Sequence, residues 1–306
     1  MGDFLSVASP TVTGMRRLTL LIAFVVAVLA VPSTAQAGGG PTTYYNHAYG
    51  VLDKETADAI EHSEYLRWFA NFEVRTTTGG GQTWTGRYLK GRETYLELFG
   101  AGDLPGQDAE EGSAGLAIST DRAGGNAKVL RRLSAAGVEP FVYEQTRDFG
   151  DGVPVPWFQA IFAATTYDAF GAWSMEYKPS YFADPRSQTE PAAYEGDLSR
   201  ERYLPDAYRE HLMRDVTGIR IGVTARDLAN TVPLLRAGGF AVRETPGGIV
   251  AQSDFTTIRL DRVERAQAGL KQLEFRLNRG TPRHAEQIGN STLTVGPGPR
   301  AEWNFR

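Results

Sequence analysis

Two stretches of the chain match each other closely enough to indicate a repeated structural unit. The first, GLAISTDRAGGNAKVLRRLSAAGVEPFVYE, runs from Gly115 to Glu144, and the second, GIRIGVTARDLANTVPLLRAGGFAVRE, runs from Gly218 to Glu244. Each begins with an apolar strand, continues with apolar residues at helical spacing, and then reaches a helix-ending glycine, Gly137 or Gly239. Because a repeated unit must pack against its neighbours to bury its apolar face, this feature constrains the fold more than any other.

A looser third copy precedes these two. Tyr44 to Tyr49 is typical of a strand, and Asp53 to Ala70 is typical of a helix with Asp53 as its N-cap. Three β-like runs follow, at 72–77, 83–90 and 94–99. We therefore expect an α+β protein built from βαβββ modules at residues 43–103, 113–182 and 215–306.

The predicted last strands of the three modules have one glutamate each, between large apolar neighbours. These glutamates are Glu97, Glu176 and Glu274. Since alternate side chains of a strand point to opposite faces, each glutamate should face away from the side on which its neighbours pack. A single such glutamate is common on an exposed sheet face, but three at matching places suggest a shared role.

Two other segments complete the predicted domain organisation. Residues 183–214 are rich in charge and proline, which indicates a linker with a short helix near Asp206 to Met213. Ser291 to Val295 and Ala301 to Phe305 flank the sequence GPGP and predict a hairpin that adds two strands to the last sheet.

A βαβββ module that is used in pairs and has a glutamate on its final strand resembles the vicinal oxygen chelate superfamily. That superfamily includes glyoxalases, extradiol dioxygenases and bleomycin-resistance proteins. The segment NHAYGVL, followed by a helix and then by WTGRYLKGRETYLELFG, looks like the opening module of a glyoxalase-like protein. The resemblance covers residues 43–182 well and 215–280 moderately, and is strongest to uncharacterised exported glyoxalase-like proteins. It implies mixed sheets that curl into a cup.

The resemblance also implies a metal site, because the superfamily takes metal ligands from the first and last strands of each module. Carried over, these positions are His47, Glu97 and Glu176. The first strand of the second module has Gly115 to Ala117 where a histidine or glutamine is expected. One imidazole and two carboxylates suit Fe(II), Mn(II), Zn(II) or Ni(II) without choosing among them, and an open fourth position suits catalysis.

Other side chains are candidates for roles in the same cup. Glu97 or Glu176 would act as catalytic acid or base, and Trp84, Arg87 and Trp173 would contact the substrate. Each has a simpler alternative: His47 as a hydrogen-bonded structural residue, the glutamates as exposed surface, the aromatic residues as core. Glu274 is expected to be structural, since the first strand of its module has no histidine.

The start of the chain predicts export. Arg16 and Arg17 precede an apolar run from Leu18 to Ala30, and the triplet Ala35 to Ala37 follows. This order is typical of a secretory signal, residues 1–37, that is cleaved near Ala37. The run is short for a bilayer-spanning helix of about 20 residues. An uncleaved anchor and twin-arginine export stay open as alternatives, but we expect the mature protein to lie outside the cytoplasm, free of the membrane.

Composition excludes several classes of function. The net charge of −4 and the pI near 5.7 provide no basic field for nucleic acid, and the lack of cysteine excludes disulfides and thiolate-bound metals. Three hypotheses are left. The first is a metal-dependent lyase, isomerase or dioxygenase acting on a small oxygen-bearing substrate, and the second is a non-catalytic small-molecule-binding protein. The third is an envelope or interaction protein whose third module packs on the C-terminal tail, on the first pair of modules, or on a second chain to form a homodimer.

Overall fold

The computed structural model describes residues 41–79 and 81–306. The predicted signal peptide, with its cleavage near Ala37, lies outside these residues. No helix within the described residues has the length and apolarity that crossing a bilayer requires.

Strands make up a larger share of the described chain than helices do. The strands are β1 (Tyr44–Leu52), β2 (Asn71–Gly79), β3 (Gln82–Lys90), β4 (Tyr95–Gly100), β5 (Ala114–Ser119), β6 (Phe141–Arg147), β7 (Val155–Phe162), β8 (Phe170–Tyr177), β9 (Met213–Val223), β10 (Ala241–Thr245), β11 (Gly248–Ser253), β12 (Thr256–Arg262), β13 (Gly269–Thr281), β14 (His284–Ile288), β15 (Ser291–Val295) and β16 (Gly298–Phe305). The α-helices are α1 (Lys54–His62), α2 (Glu64–Phe69), α3 (Gly125–Ala135), α4 (Pro179–Ala183), α5 (Arg200–Tyr203) and α6 (Ala225–Gly238). Short 3₁₀ helices lie at Gly106–Ala109, Pro185–Ser187, Asp206–Glu210 and Arg265–Gln267.

The first sheet has the order β2-β3-β4-β1-β5-β8-β7-β6 and combines two βαβββ modules. The first strands of the modules, β1 and β5, pair antiparallel at the centre, and each pairs in parallel with the last strand of its own module. The two edges of the sheet approach each other, since the Asp148 backbone N–H donates to the Thr78 carbonyl at 3.1 Å. The sheet is therefore curled, and the predicted α+β class with paired modules around a cup is confirmed.

The second sheet repeats this order as β10-β11-β12-β9-β13-β16-β15-β14. The third module ends with β12, which pairs in parallel with β9. The segment predicted as its last strand, residues 270–275, lies in β13 and opens a fourth module that has no helix. The predicted hairpin is present as β15 and β16. Because the fourth module, which includes the tail, pairs with the third, no single module is left over. Of the three packing partners expected for the third module, the structure shows the tail, and the homodimer stays a prediction.

The ends of the helices follow the sequence signals. The Asp53 carboxylate accepts the Thr56 N–H at 2.9 Å and caps α1. Gly137, two residues after the end of α3, has a φ angle of 75°, and Gly239, directly after α6, has a φ angle of 91°. These left-handed conformations cost glycine little, so both predicted helix ends are confirmed.

One continuous core joins the two sheets. Buried side chains from the first sheet, such as Ile118, and from the second, such as Leu273, belong to the same apolar cluster. The fully buried Asp227 carboxylate, at the start of α6, accepts the backbone N–H groups of residues 168, 169 and 170 at 2.8–3.0 Å. A residue of the third module therefore fixes the start of β8 in the second.

The predicted linker is a packed part of the domain. Leu198, Leu204 and Tyr208 of this segment are buried, as is Tyr181 just before it. The Tyr203 ring stacks on Tyr177 of the first sheet, with 4.4 Å between ring centroids. We refer to residues 178–212 as the strap, and it covers one end of the concave face of the first sheet.

Candidate functional site

The concave face of the first sheet encloses a cavity of about 480 Å³, called the cup below. His47 of β1 stands in one row with Tyr95 of β4, Ala117 of β5 and Trp173 of β8. The next row on the same face contains Glu97. The main side chains that line the cup are His47, Tyr49, Trp84, Tyr95, Glu97, Phe99, Asp108, Trp157, Phe162, Tyr167 and Trp173.

His47 is held in a defined orientation by a β-bulge. The register of β1 against β5 shifts between Tyr45 and His47, so that Asn46 lies beside the imidazole. The Asn46 amide nitrogen donates to the Ser119 hydroxyl at 2.8 Å, and its Oδ1 lies 2.7 Å from Nδ1 of His47. This network assigns the proton to Nδ1 and leaves the lone pair on Nε2.

The environment of His47 keeps its ring neutral. The residue is 5% exposed, and its ring stacks on Tyr95 at 4.4 Å and meets the edge of Trp173 at 5.5 Å. Burial lowers the pKa of His47 to about 3. The imidazole can therefore accept a hydrogen bond through Nε2 throughout the physiological pH range.

Glu97 is the titratable acid of the cup. Its strand neighbours on this face include Tyr49 of β1 and Tyr88 of β3. Burial raises the pKa of Glu97 to about 7, against the opposing effect of the Arg75 cation. Both the protonated and the ionised carboxyl are therefore populated near neutral pH, so this side chain can donate or accept a proton.

A second carboxylate, Asp108, was not predicted from the sequence. It accepts hydrogen bonds from the Tyr49 hydroxyl at 3.0 Å and from the Tyr167 hydroxyl at 2.9 Å. Asp108 lies in a short 3₁₀ helix between the first two modules, where no periodic pattern marks it. Tyr49 could have been found, because it lies two residues after His47 and so on the same face of β1.

Both tryptophans predicted to contact the substrate line the cup. The Trp84 indole N–H donates to the Tyr88 hydroxyl at 3.3 Å. The Trp173 ring lies 6.3 Å from Tyr49 and 6.1 Å from Phe162. Their positions suit ligand contact, and that role stays a prediction.

Glu176 faces away from the cup, and its predicted place in the ligand set was wrong. Its two carboxylate oxygens accept the backbone N–H groups of Gly124 at 3.0 Å and Asn126 at 2.9 Å, at the start of α3. Trp173 faces the cup, so a residue three positions later on β8 points to the helix side. Glu176 therefore caps a helix.

Arg87 also lies on the helix side, so its predicted contact with substrate was wrong. Its guanidinium pairs with Glu61 of α1 at 2.7 Å and with Asp103 at 2.6 Å. The glutamate of the second sheet, Glu274, is exposed and lies on β13 beside Gly218 of β9. None of these three residues belongs to the cup.

The described residues do not fit the predicted metal site. Only His47 and Glu97 of the implied ligands share the cup, and the described chain contains no group of three or more His, Cys, Asp or Glu side chains that could hold a metal ion. The missing ligand in β5 has a steric cause: a Cβ added to Gly115 would lie 2.1 Å from the Tyr49 ring. The ring of Tyr49 thus occupies the space that a ligand side chain there would need.

Comparisons with known proteins agree with this fold. A family model described as a family of unknown function (DUF5829) matches residues 45–305. No functionally curated protein matches the chain. A crystal structure of a hypothetical protein from Staphylococcus aureus is similar, with 10% identity and a TM-score of 0.54 over 83% of this chain and 98% of that one.

Two structures of enzymes are more distantly similar. The Mn(II)-bound glyoxalase from Novosphingobium aromaticivorans is 12% identical, with a TM-score of 0.38 over 86% of this chain and 81% of its own. The 2,3-dioxygenase LapB from Pseudomonas sp. KL28 is 12% identical, with a TM-score of 0.41 over 86% of this chain and 92% of its own. The order of strands in the paired modules is the one expected of the vicinal oxygen chelate fold. The resemblance in fold is therefore confirmed.

Proposed function

The chain belongs to DUF5829, a family of unknown function, and we propose from the geometry of the cup that it binds a small planar molecule carrying oxygen atoms, such as a phenol or catechol. The observation that supports this most directly is the pairing of one neutral imidazole, His47, with one carboxyl group of near-neutral pKa, Glu97, on neighbouring strands inside an aromatic cavity.

The walls of the cup favour a planar ligand. Small-molecule sites are typically concave cavities of about 300–1,000 Å³, lined by apolar and aromatic side chains with few polar groups. The cup, at about 480 Å³, meets this description. Trp173, Phe162 and Tyr95 offer ring faces and edges, which interact well with another ring at offset or edge-on geometry.

The polar groups of the cup favour ligand oxygens. A ligand hydroxyl can donate to Nε2 of His47, and a second hydroxyl or carbonyl oxygen can pair with Glu97 in either of its protonation states. A ligand lacking both oxygens would leave these groups desolvated without partners, which is costly. We therefore expect discrimination between catechol and an apolar ring of similar size.

Tryptophan fluorescence and calorimetry test the binding proposal. Catechol should quench the fluorescence of the protein, and Glu97→Gln and His47→Phe should each weaken its binding about tenfold or more. Glu274→Gln, an exposed carboxylate on the other sheet, is the matched control and should bind as the parent does. The proposal is wrong if catechol and toluene bind equally, or if neither binds.

An enzyme that transfers a proton through Glu97 is the second candidate. It is favoured by the Glu97 pKa of about 7, since a catalytic acid or base works best with a pKa near the working pH. The test follows exchange of the α-hydrogen of 2-hydroxyacetophenone with deuterium by NMR. Exchange that is absent in Glu97→Gln but retained in Glu274→Gln would support catalysis; equal exchange in all proteins would exclude it for this substrate.

Whether the cup also holds a divalent metal ion, Fe, Mn, Zn or Ni, is a separate question that measurement can answer. His47 and Glu97 are the two predicted ligands that share the cup, and a resident ion there would need further ligands. Elemental analysis of the purified protein, with His47→Ala and Glu97→Ala beside it, decides the matter. Stoichiometric metal that both variants lose would favour a metal-dependent enzyme over simple binding.

A further inference from the structure

A second cavity, of about 310 Å³, lies between the first sheet and the strap, and Tyr95 lines both it and the cup. We propose that this cavity binds a small oxyanion carrying two negative charges, either inorganic phosphate or the phosphate group of an ester. The proposal depends on the charges around this cavity and is independent of the function proposed for the cup.

The cavity has more cations than carboxylates. Arg75 of β2, Lys90 of β3 and Arg147 of β6 line it, together with one carboxylate, Glu73 of β2. Glu73 contacts Lys90 and lies 3.5 Å from Arg75. These three cations and one carboxylate give this part of the lining a net charge of +2.

Arg147 is the cation best placed to receive a ligand. Within residues 41–79 and 81–306, the structure places no carboxylate at salt-bridge distance from it. Its guanidinium donates to the Tyr181 hydroxyl at 2.6 Å and lies over the Phe149 ring at 4.7 Å. Arg186, at the rim, differs because it is already paired with Asp184 at 2.7 Å and also contacts Asp151.

The cations are held close together and away from bulk water. The side chains of Arg75 and Lys90 are 21% and 15% exposed. Burial lowers the pKa of Lys90, and the neighbouring Arg75 and Arg147 lower it further. Like charges that are concentrated in a concave, partly desolvated site attract a counter-ion more strongly than exposed charges do.

Aromatic rings fix the guanidinium groups in place. The Arg75 guanidinium lies 4.4 Å from the centroid of the Tyr88 ring, and the Arg147 guanidinium lies 4.7 Å and 5.5 Å from the centroids of the Phe149 and Trp157 rings. A guanidinium that is already ordered loses little entropy when it forms two parallel hydrogen bonds to an oxyanion. Two such groups and one ammonium suit a tetrahedral dianion better than a single carboxylate.

Calorimetry on the full-length protein tests this inference, with inorganic phosphate and phenyl phosphate as probes in chloride buffer of constant ionic strength. Arg147→Gln and, separately, Arg75→Gln should weaken phosphate binding about ten- to a hundredfold, the usual cost of a lost charge-assisted hydrogen bond. Arg147→Lys should retain part of the affinity. Arg243→Gln, an exposed arginine on β10, should bind as the parent does.

The outcomes separate the possibilities. Tighter binding of phenyl phosphate than of inorganic phosphate would indicate an ester, and equal binding would indicate the free ion. The inference is overturned if acetate or benzoate binds as tightly as phosphate, if no probe binds at about 10 mM, or if Arg147→Gln and Arg75→Gln bind as the parent does. Thermal melting in chloride buffer identifies a variant that has lost its fold. If Arg147→Gln is such a variant, the phosphate affinity of Arg147→Lys is compared with that of the parent instead.

Discussion

Glu97 should make the stability of the protein depend on pH in an unusual direction. Its pKa in the folded state, about 7, lies above its ordinary value of 4.5, because burial disfavours the ionised form. The folded state therefore holds the proton more tightly than the unfolded state does. The free energy of unfolding should fall as the pH rises from about 4.5 to about 7, by at most about 3 kcal/mol from this group.

Glu97→Gln removes that titration. Urea denaturation of the parent and of the variant at pH 5 and pH 8 measures the effect. The free energy of unfolding should fall less between pH 5 and pH 8 in the variant than in the parent, since glutamine does not ionise. Glu274→Gln, which alters an exposed carboxylate, should leave the pH profile of the parent unchanged; identical profiles for all three proteins would contradict the assigned pKa.

The residues of the cup were predictable by type and strand, but not always by face. His47, Glu97, Trp84 and Trp173 line the cup as expected, whereas Glu176 does not. Aligning the final strands by their glutamates placed each glutamate on the correct strand. A shift of one residue in that alignment, however, moves every side chain of the strand to the opposite face. The side on which β8 presents its odd-numbered residues depends on its pairing with β5, which the local sequence does not encode.

At the scale of single elements, Glu176 should stabilise α3. The N-cap residue of this helix is Gly124, which has no side chain to accept the first helical N–H groups, and Glu176 supplies those acceptors from β8. A carboxylate at a helix N-terminus also interacts favourably with the helix dipole. Glu176→Ala should therefore lower the free energy of unfolding by about 1–2 kcal/mol.

Denaturation and ligand binding together distinguish this structural role from a role in the cup. Glu176→Ala should lose stability while its affinity for a ligand of the cup, and any bound metal, match those of the parent. Loss of binding with unchanged stability would contradict the capping role. Glu97→Gln, by contrast, should weaken the binding of a ligand in the cup.

The strap depends on a buried arginine. Arg200 is 2% exposed, and its guanidinium donates to the Tyr45 carbonyl at 2.8 Å, to Glu93 at 3.0 Å and to Asp121 at 3.1 Å. Its removal takes the paired cation from Asp121 and leaves Glu93 with the more distant Arg92, at 3.6 Å. Arg200→Ala should cost about 3–5 kcal/mol of stability, as the loss of one partner from a buried ion pair does.

Limited proteolysis and urea denaturation check this prediction. The variant should be cleaved faster than the parent within residues 183–199, because the strap has lost its attachment to β1. Arg209→Ala is the control: that side chain is 63% exposed and pairs with Asp206 in the same short helix, so its loss should change stability by about 0.5 kcal/mol or less. Equal cleavage of the two variants would show that Arg200 does not hold the strap.

The sequence predicted a linker here because charge and proline dominate the segment. The residues that make it part of the domain are leucines and a tyrosine at irregular spacing, Leu198, Leu204 and Tyr208. Irregular spacing gives neither a helical nor a strand period, so packing of this kind leaves no pattern to detect. The helices α3 and α6, with a clear period and terminal glycines, were predicted for the opposite reason.

For the molecule as a whole, the two sheets should unfold together. Apolar residues of both sheets, Tyr45 and Ile118 in the first and Ile221 and Leu273 in the second, pack into one core. The Asp227 carboxylate adds a polar link, since it accepts three backbone N–H groups at the start of β8. Asp227→Ala leaves those donors buried without an acceptor, and should cost about 2–5 kcal/mol.

This loss should lower the midpoint of unfolding without dividing the transition, because the apolar core still joins the sheets when the polar link is gone. Trp303→Phe restricts the tryptophan signal to the first half of the domain, since the other four tryptophans lie at residues 68–173, while circular dichroism reports both sheets. In that background the two signals should coincide with and without Asp227→Ala, as expected of one cooperative unit. Separate midpoints in the Asp227→Ala protein would mean that the carboxylate, rather than the shared core, makes the sheets cooperative.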